Sequence, residues 1–238
     1  MSRYGEYWDY VSSAEKKARA AKAVKSLAKT RKLAPVSANT QDIASTWWGR
    51  SWIKNLVGYA DYSSRLPRGR TYLRTGSVID LVVESGRITA LVTGSQADPY
   101  EVSITISPLI TRTHNKLVEK CRKSITSLSA LMAGEFPSDL EKSFLARGDG
   151  LFPSPREIRF DCTCPDWADM CKHVAASLYG TAVHLDERPE LFFILRGMKV
   201  EDFVGTVIEE EAREVRKKAK VKTSRVLSKK DSKRLFGV

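Results

Sequence analysis

The sequence predicts an α+β fold: a small antiparallel sheet packed with helices, a strand–loop–helix stapled by cysteines and a histidine, and basic helical extensions at both ends. Three observations predict it. Residues 77–107 alternate apolar and polar with a period of two. Residues 114–133 change to helical spacing. Three of the four cysteines crowd into ten residues beside a histidine, just after a strand-like run. The chain divides accordingly into a basic N-terminal helical arm (1–40), an α+β body with the meander (41–155), the Cys/His segment with its following helices (156–200), and a charged helix with a basic tail (201–238).

Hydrophobic content of 42% in 238 residues suits a folded core and argues against disorder throughout. No run approaches the roughly 20 apolar residues that span a bilayer. The first ten residues, MSRYGEYWDY, lack the apolar stretch of a secretory signal, so a cytoplasmic location is expected.

Charge is unevenly placed. Residues 1–34 hold 9 basic and 3 acidic groups, and residues 209–238 hold 11 and 5, so each end carries +6 of the formal +12. The middle is neutral. Two basic arms on a neutral body point to a polyanionic partner, although solvated tails have the same composition.

Taken in order, residues 12–33 read as a helix. Ser12 and Glu15 form a capping box, and Pro35 stops the run. The apolar stripe, Ala14, Ala18, Val24, Leu27 and Ala28, is thin, so weak anchoring is expected. The segment TWWGRSWI, residues 46–53, places Trp47, Trp48 and Trp52 together. Core packing is the favoured reading and a base-stacking platform beside Arg50 the other. RLPRGRTYLR, residues 65–74, is expected as a loop leading into a strand, with Pro67 and Gly69 as turn markers. Its Arg65, Arg68, Arg70 and Arg74 are candidate phosphate contacts, because guanidinium pairs with phosphate bidentately.

The meander follows: Ile79, Leu81 and Val83; a Ser85-Gly86 turn; Ile88, Ala90 and Val92; a turn at Ala97-Asp98-Pro99; then Tyr100, Val102, Ile104 and Ile106. One wet face is expected. Leu117, Val118, Cys121, Ile125, Leu128 and Met132 stripe a helix ended by Gly134, with Cys121 as a core residue. Ser138 and Glu141 are expected to cap a short helix bearing Leu140 and Phe144. Leu191, Phe192, Ile194 and Leu195 close the core. A last helix over 200–220 runs into the basic tail with Lys217, Lys218, Lys229 and Lys230.

Ile158 and Phe160 mark a strand entering Cys162-Thr163-Cys164. In extended backbone, residues i and i+2 face one side, so both thiols can hold one ion. Six residues follow, and then comes Cys171-Lys172-His173. On a helix, i and i+2 diverge, so Cys171 must precede the helix and His173 lie in its first turn, with Lys172 directed away. Three thiolates and one imidazole complete a tetrahedral set for a single Zn²⁺, leaving no place for a reacting water. The zinc is thus expected to be structural. Asp166 and Asp169 are expected to cap the loop or to orient His173. His184 is too far along the helix to ligate, and His114 reads as a surface or cap residue.

The pattern C-x-C, six residues, C-x-H, with Pro165, Asp166, Trp167 and Lys172 around it, resembles the SWIM-type zinc finger. With TWWGRSWI and RGRTYLRTGSVIDL upstream, residues 46–200 look like the prokaryotic SWIM zinc-finger proteins, often associated with Swi/Snf-type helicases. The resemblance implies nucleic-acid or protein contact, with zinc as scaffold and no enzymatic activity. It does not reach either basic arm.

Two functions follow as expectations. The first is nucleic-acid binding, to DNA or structured RNA such as a ribosome's, through the arms and the candidates Arg65, Arg68, Arg70, Arg74, Lys172, Lys217, Lys218, Lys229 and Lys230. The second is an adaptor for a protein partner such as a helicase ATPase. No P-loop, G-x-G-x-x-G or G-x-S-x-G occurs, so neither catalysis nor a small-molecule substrate is expected. A membrane-surface role is disfavoured by the lack of a strong apolar face on the tail.

Overall fold

The alternating runs do form a sheet. In a computed structural model describing residues 11–38, 42–124, 128–200 and 202, strands β1 (Val78–Glu84), β2 (Arg87–Val92) and β3 (Tyr100–Ile106) pair antiparallel as a meander. A fourth strand, β4 (Ile158–Cys162), returns after a long helical connection and pairs antiparallel with β3, giving the order β1-β2-β3-β4. The period of two is explicit on β3, where Tyr100, Val102, Ile104 and Ile106 are buried while Glu101 and Thr105 are exposed.

Helices cover the inner face. They are α1 (Ser13–Leu27), α2 (Trp47–Leu56), α3 (Arg65–Arg74), α4 (Thr111–Ser124), α5 (Leu128–Ala133), α6 (Ser138–Phe144), α7 (Lys172–Glu187) and α8 (Glu190–Leu195) among the described residues. Helix α7 is the hub: it packs against α2, α3 and all four strands. Eleven of its residues are buried, as a central helix requires.

The tryptophans are core residues. Trp48 and Trp52 are fully buried, and Trp47 packs against the same cluster. Their indoles are satisfied: Trp52 Nε1 donates to Leu178 O at 2.9 Å, Trp48 Nε1 to Met132 O at 3.1 Å, and Trp47 Nε1 to Glu141 at 3.1 Å. This excludes Trp48 and Trp52 as a base-stacking platform. Thr46 caps α2 with its side chain, and Asp186 of α7 accepts from the backbone and hydroxyls of both Ser45 and Thr46. A carboxylate at that helix start suits the dipole.

Two expectations need correction. RLPRGRTYLR is a helix, not a loop and strand. Pro67 is its third residue, within the first turn, where a missing N–H breaks no helical bond. Gly69 is there for contact rather than for a turn: a Cβ on it would lie 2.5 Å from Ala175 Cβ and 2.9 Å from α7 backbone. Ser138 does not cap α6. Pro137 occupies the cap position with no side-chain bond, and Glu141 is engaged with Trp47.

The α1 capping box is present in both directions, Ser12 N to Glu15 at 2.8 Å and Glu15 N to Ser12 Oγ at 3.2 Å. The helix docks, but not by the expected stripe, of which Ala14, Ala18 and Ala28 are exposed. Ala20 is buried, and Arg19 reaches Gly94 O and Ser95 O at 3.2 and 3.4 Å. Downstream, Arg31 pairs with Asp80 at 3.1 Å and Val36 bridges Val78, so this segment covers the β1 edge. The expected 200–220 helix lies outside the described residues apart from residues 200 and 202, and Lys217, Lys218, Lys229 and Lys230 lie outside them entirely. No helix of the described residues is long and apolar enough to cross a membrane.

Candidate metal centre

Strand β4 ends at Cys162, and the chain stays extended beyond it because Thr163 is tied to β3 twice. Thr163 N donates to Glu101 O at 3.1 Å, and Glu101 N donates to Thr163 Oγ1 at 3.0 Å. Cys162 and Cys164 are thereby presented to one point. Cys171 is the N-cap of α7, in extended conformation, and its sulfur accepts from Val174 N at 3.5 Å. His173 is the second residue of that helix.

The ligand atoms of Cys162, Cys164, Cys171 and His173 all lie within 4.8 Å of one another. His173 Nδ1 is 3.8 Å from Cys162 Sγ and 3.9 Å from Cys171 Sγ. A tetrahedral ion with bonds of about 2.0–2.3 Å needs donor separations of about 3.5–3.8 Å. Four residues are thus positioned to hold one metal ion, with Nδ1 as the imidazole donor.

Without an ion, the electrostatics favour a thiolate at Cys171 and a neutral imidazole at His173. A hydrogen bond from Cys162 pulls the Cys171 thiol down; burial opposes this, while His173 and Val174 N assist. Cys162 is pushed up, because it gives that bond and is buried. Burial pushes Cys164 up and His173 down, so the imidazole is neutral and can donate to a metal at ordinary pH.

The imidazole is held by aromatic rings. Tyr100 stacks on it at 4.5 Å and Tyr72 meets it edge-on at 5.2 Å. Gly94 leaves the room this needs, since a Cβ there would lie 3.1 Å from His173 Nε2 and 2.4 Å from the Tyr100 ring. Nε2 is buried and has no hydrogen-bond partner among the described residues. Neither aspartate orients the ring. Asp166 pairs with Arg65 at 2.9 Å and accepts from Ala168 N. Asp169 contributes its N–H to Asp61, which also accepts from Met170 N at 3.1 Å. Asp61 and Arg65, from the α2–α3 connection and α3, therefore pin the metal loop. Nothing in the local pattern pointed to Asp61, since its partner backbone lies more than a hundred residues away.

The arginines separate. Arg65 is mostly buried in its ion pair. Arg70 lies over the Tyr179 ring at 5.5 Å, on the α7 side. Arg74 is exposed at the end of α3. Arg68 is exposed and lines a cleft of about 710 Å³ between α1, α3 and the metal loop, shared with Lys16 and Lys172. Lys172 thus faces this cleft from the helix start between two ligands. Cys121 is buried in the core, with its thiol pushed up to about 12 by burial. His184 is half-buried and His114 lies 3.7 Å from Asp202, both remote from the cluster.

No protein-family model and no solved structure matches the chain. Over 167 residues it is 41% identical to Rv2102, an uncharacterized protein of Mycobacterium tuberculosis, an alignment covering 69% of this chain and 60% of that relative. The chain thus spans about three fifths of the length of the curated protein to which it is similar.

Proposed function

We propose that the chain is a SWIM-type zinc protein that binds nucleic acid, with zinc as a structural staple and no catalytic role. The observation that carries the zinc reading is the donor set, three thiols and a neutral imidazole converging on one point. Thiolates and imidazole select zinc over the hard cations, and a complete protein shell leaves no position for a reacting water. Inductively coupled plasma analysis of purified protein is expected to give about one zinc per chain. A value near zero in protein that folds normally would contradict the site.

Nucleic-acid binding is supported by the +12 formal charge and its concentration at the two ends. Its test is a salt titration with duplex DNA or structured RNA. If the basic groups neutralise phosphates, log affinity falls linearly with log salt, with a slope of about −0.9 per phosphate on duplex DNA. A flat titration, together with a protein partner that stays bound through nuclease and high salt, would favour the adaptor reading, such as docking on a helicase ATPase.

A further inference from the structure

One feature of the metal loop has no role in holding metal. Trp167, between Cys164 and Cys171, is 75% exposed, although neighbouring Ala168 and Met170 are buried. An indole so exposed is costly to display without use, since the same ring buried would remove a large apolar area from water. It is not loose. Tyr62 meets it edge-on with ring centroids 4.9 Å apart, and the loop beneath is fixed by Asp61 and by the Arg65–Asp166 pair.

Trp167 stands on the rim of the 710 Å³ cleft, lined by Arg65 and Arg68 from α3, Lys172 from the start of α7 and Lys16 from α1, whose ammonium also donates to Val11 O at 2.6 Å. Three acids around the cleft are engaged. Asp166 holds Arg65, Asp61 accepts the loop N–H groups, and Glu15 closes the α1 capping box. The cleft floor is Tyr72 and Tyr100, the two rings that hold His173. One rim and the floor are therefore built on the metal centre itself.

We infer that this cleft binds single-stranded nucleic acid, one base stacking on Trp167 and the adjoining phosphate lying among Arg68, Lys172 and Lys16. This rests on the nucleic-acid reading above and names the strand form that the cleft takes. An exposed, braced aromatic beside converging cations is what single-strand sites use, because every base offers a π-face while its phosphate needs charge. A duplex cannot use it, since its bases already stack on each other and present only edges. The cleft's volume suits a nucleotide-sized body.

The test uses the zinc-loaded full chain, fluorescence anisotropy, and a labelled mixed-sequence single strand beside the matching duplex. Trp167→Ala is expected to weaken single-strand binding about five- to 100-fold, from the usual worth of one stacked base. Trp167→Phe should restore most of it, and duplex binding should change little. Arg68→Gln should lower the single-strand salt slope by about 0.7. Thermal melts of each variant check that the fold is kept. Single-strand affinity unchanged by Trp167→Ala, or equal losses on duplex and single strand, would overturn the cleft assignment while leaving binding by the basic ends intact. A free nucleoside monophosphate that competes as well as the strand would also overturn it. Failure of the wild-type chain to bind either form would sink the broader reading instead.

Discussion

Cys171 does two jobs at once: its sulfur caps α7 by accepting from Val174 N, and it is one of four donors converging on a point. Cys171→Ser keeps a capping oxygen but loses a thiolate, so metal affinity should fall by orders of magnitude even though the cap itself is conserved. Cobalt substitution, read by thiolate charge-transfer absorption, checks this. A second informative pair is Arg196 and Glu157, 2.6 Å apart, with the Arg196 side chain fully buried. Burial acts to raise the Glu157 carboxyl, but hydrogen bonds from Arg196 and Ser154 prevail and hold it below the usual range. Its contribution is therefore complete above the ordinary carboxylate value and is lost as pH falls through the lower folded value. Glu157→Gln should cost about 3 kcal/mol at neutral pH by leaving a buried charge unpaired. It should also flatten the acid limb of a pH–stability profile measured by urea unfolding. The four metal donors were legible in the sequence because their spacing is local and the backbone rules for i and i+2 are strict. Asp61, Arg65 as a loop anchor, and the rings of Tyr72 and Tyr100 were not, because each acts on the site from a distant part of the chain.

Helix α3 shows how a local signal misleads. Pro67 and Gly69 are turn residues by composition, yet one sits where a helix tolerates proline and the other where a neighbouring helix needs space. Gly69→Ala should be favourable for an isolated helix but destabilise this protein by about 1–3 kcal/mol, as overpacking against Ala175 requires. Chemical denaturation of the variant decides between these opposite signs. The meander was readable for the converse reason: its period of two is enforced by one buried face along each strand, so no distant element is needed to see it. Strand β4 was half visible, as a strand but without its partner β3, since five residues carry no address.

For the whole molecule, the core and the metal centre are contiguous but unequal in extent. Trp48, Trp52, Phe144 and Phe192 lie in one buried cluster that also includes Cys164 and Cys171. Much of that cluster owes nothing to the ion. Chelation is therefore expected to deprotect the amides of residues 162–173 and the start of α7, while those around Trp52 stay protected, as followed by hydrogen exchange. Simultaneous loss everywhere would mean that the ion governs the entire fold. The charge count placed the basic excess correctly on the ends, but it could not show that α1 lies docked against β1 and the β2–β3 connection, held by Arg19 on Gly94 and Ser95.

The four donors span only residues 162 to 173, whereas β4 must find β3 across the helices between Ile106 and Ile158. Closing a loop of about a dozen residues costs far less entropy than closing one several times longer and takes well under a microsecond in a flexible chain. Order of assembly follows from that difference. The ion can be captured before the sheet is complete, and the fourth strand then arrives already attached to the start of α7. Refolding with zinc present from the first moment should outpace refolding to which zinc is added late, in stopped-flow fluorescence of the buried tryptophans.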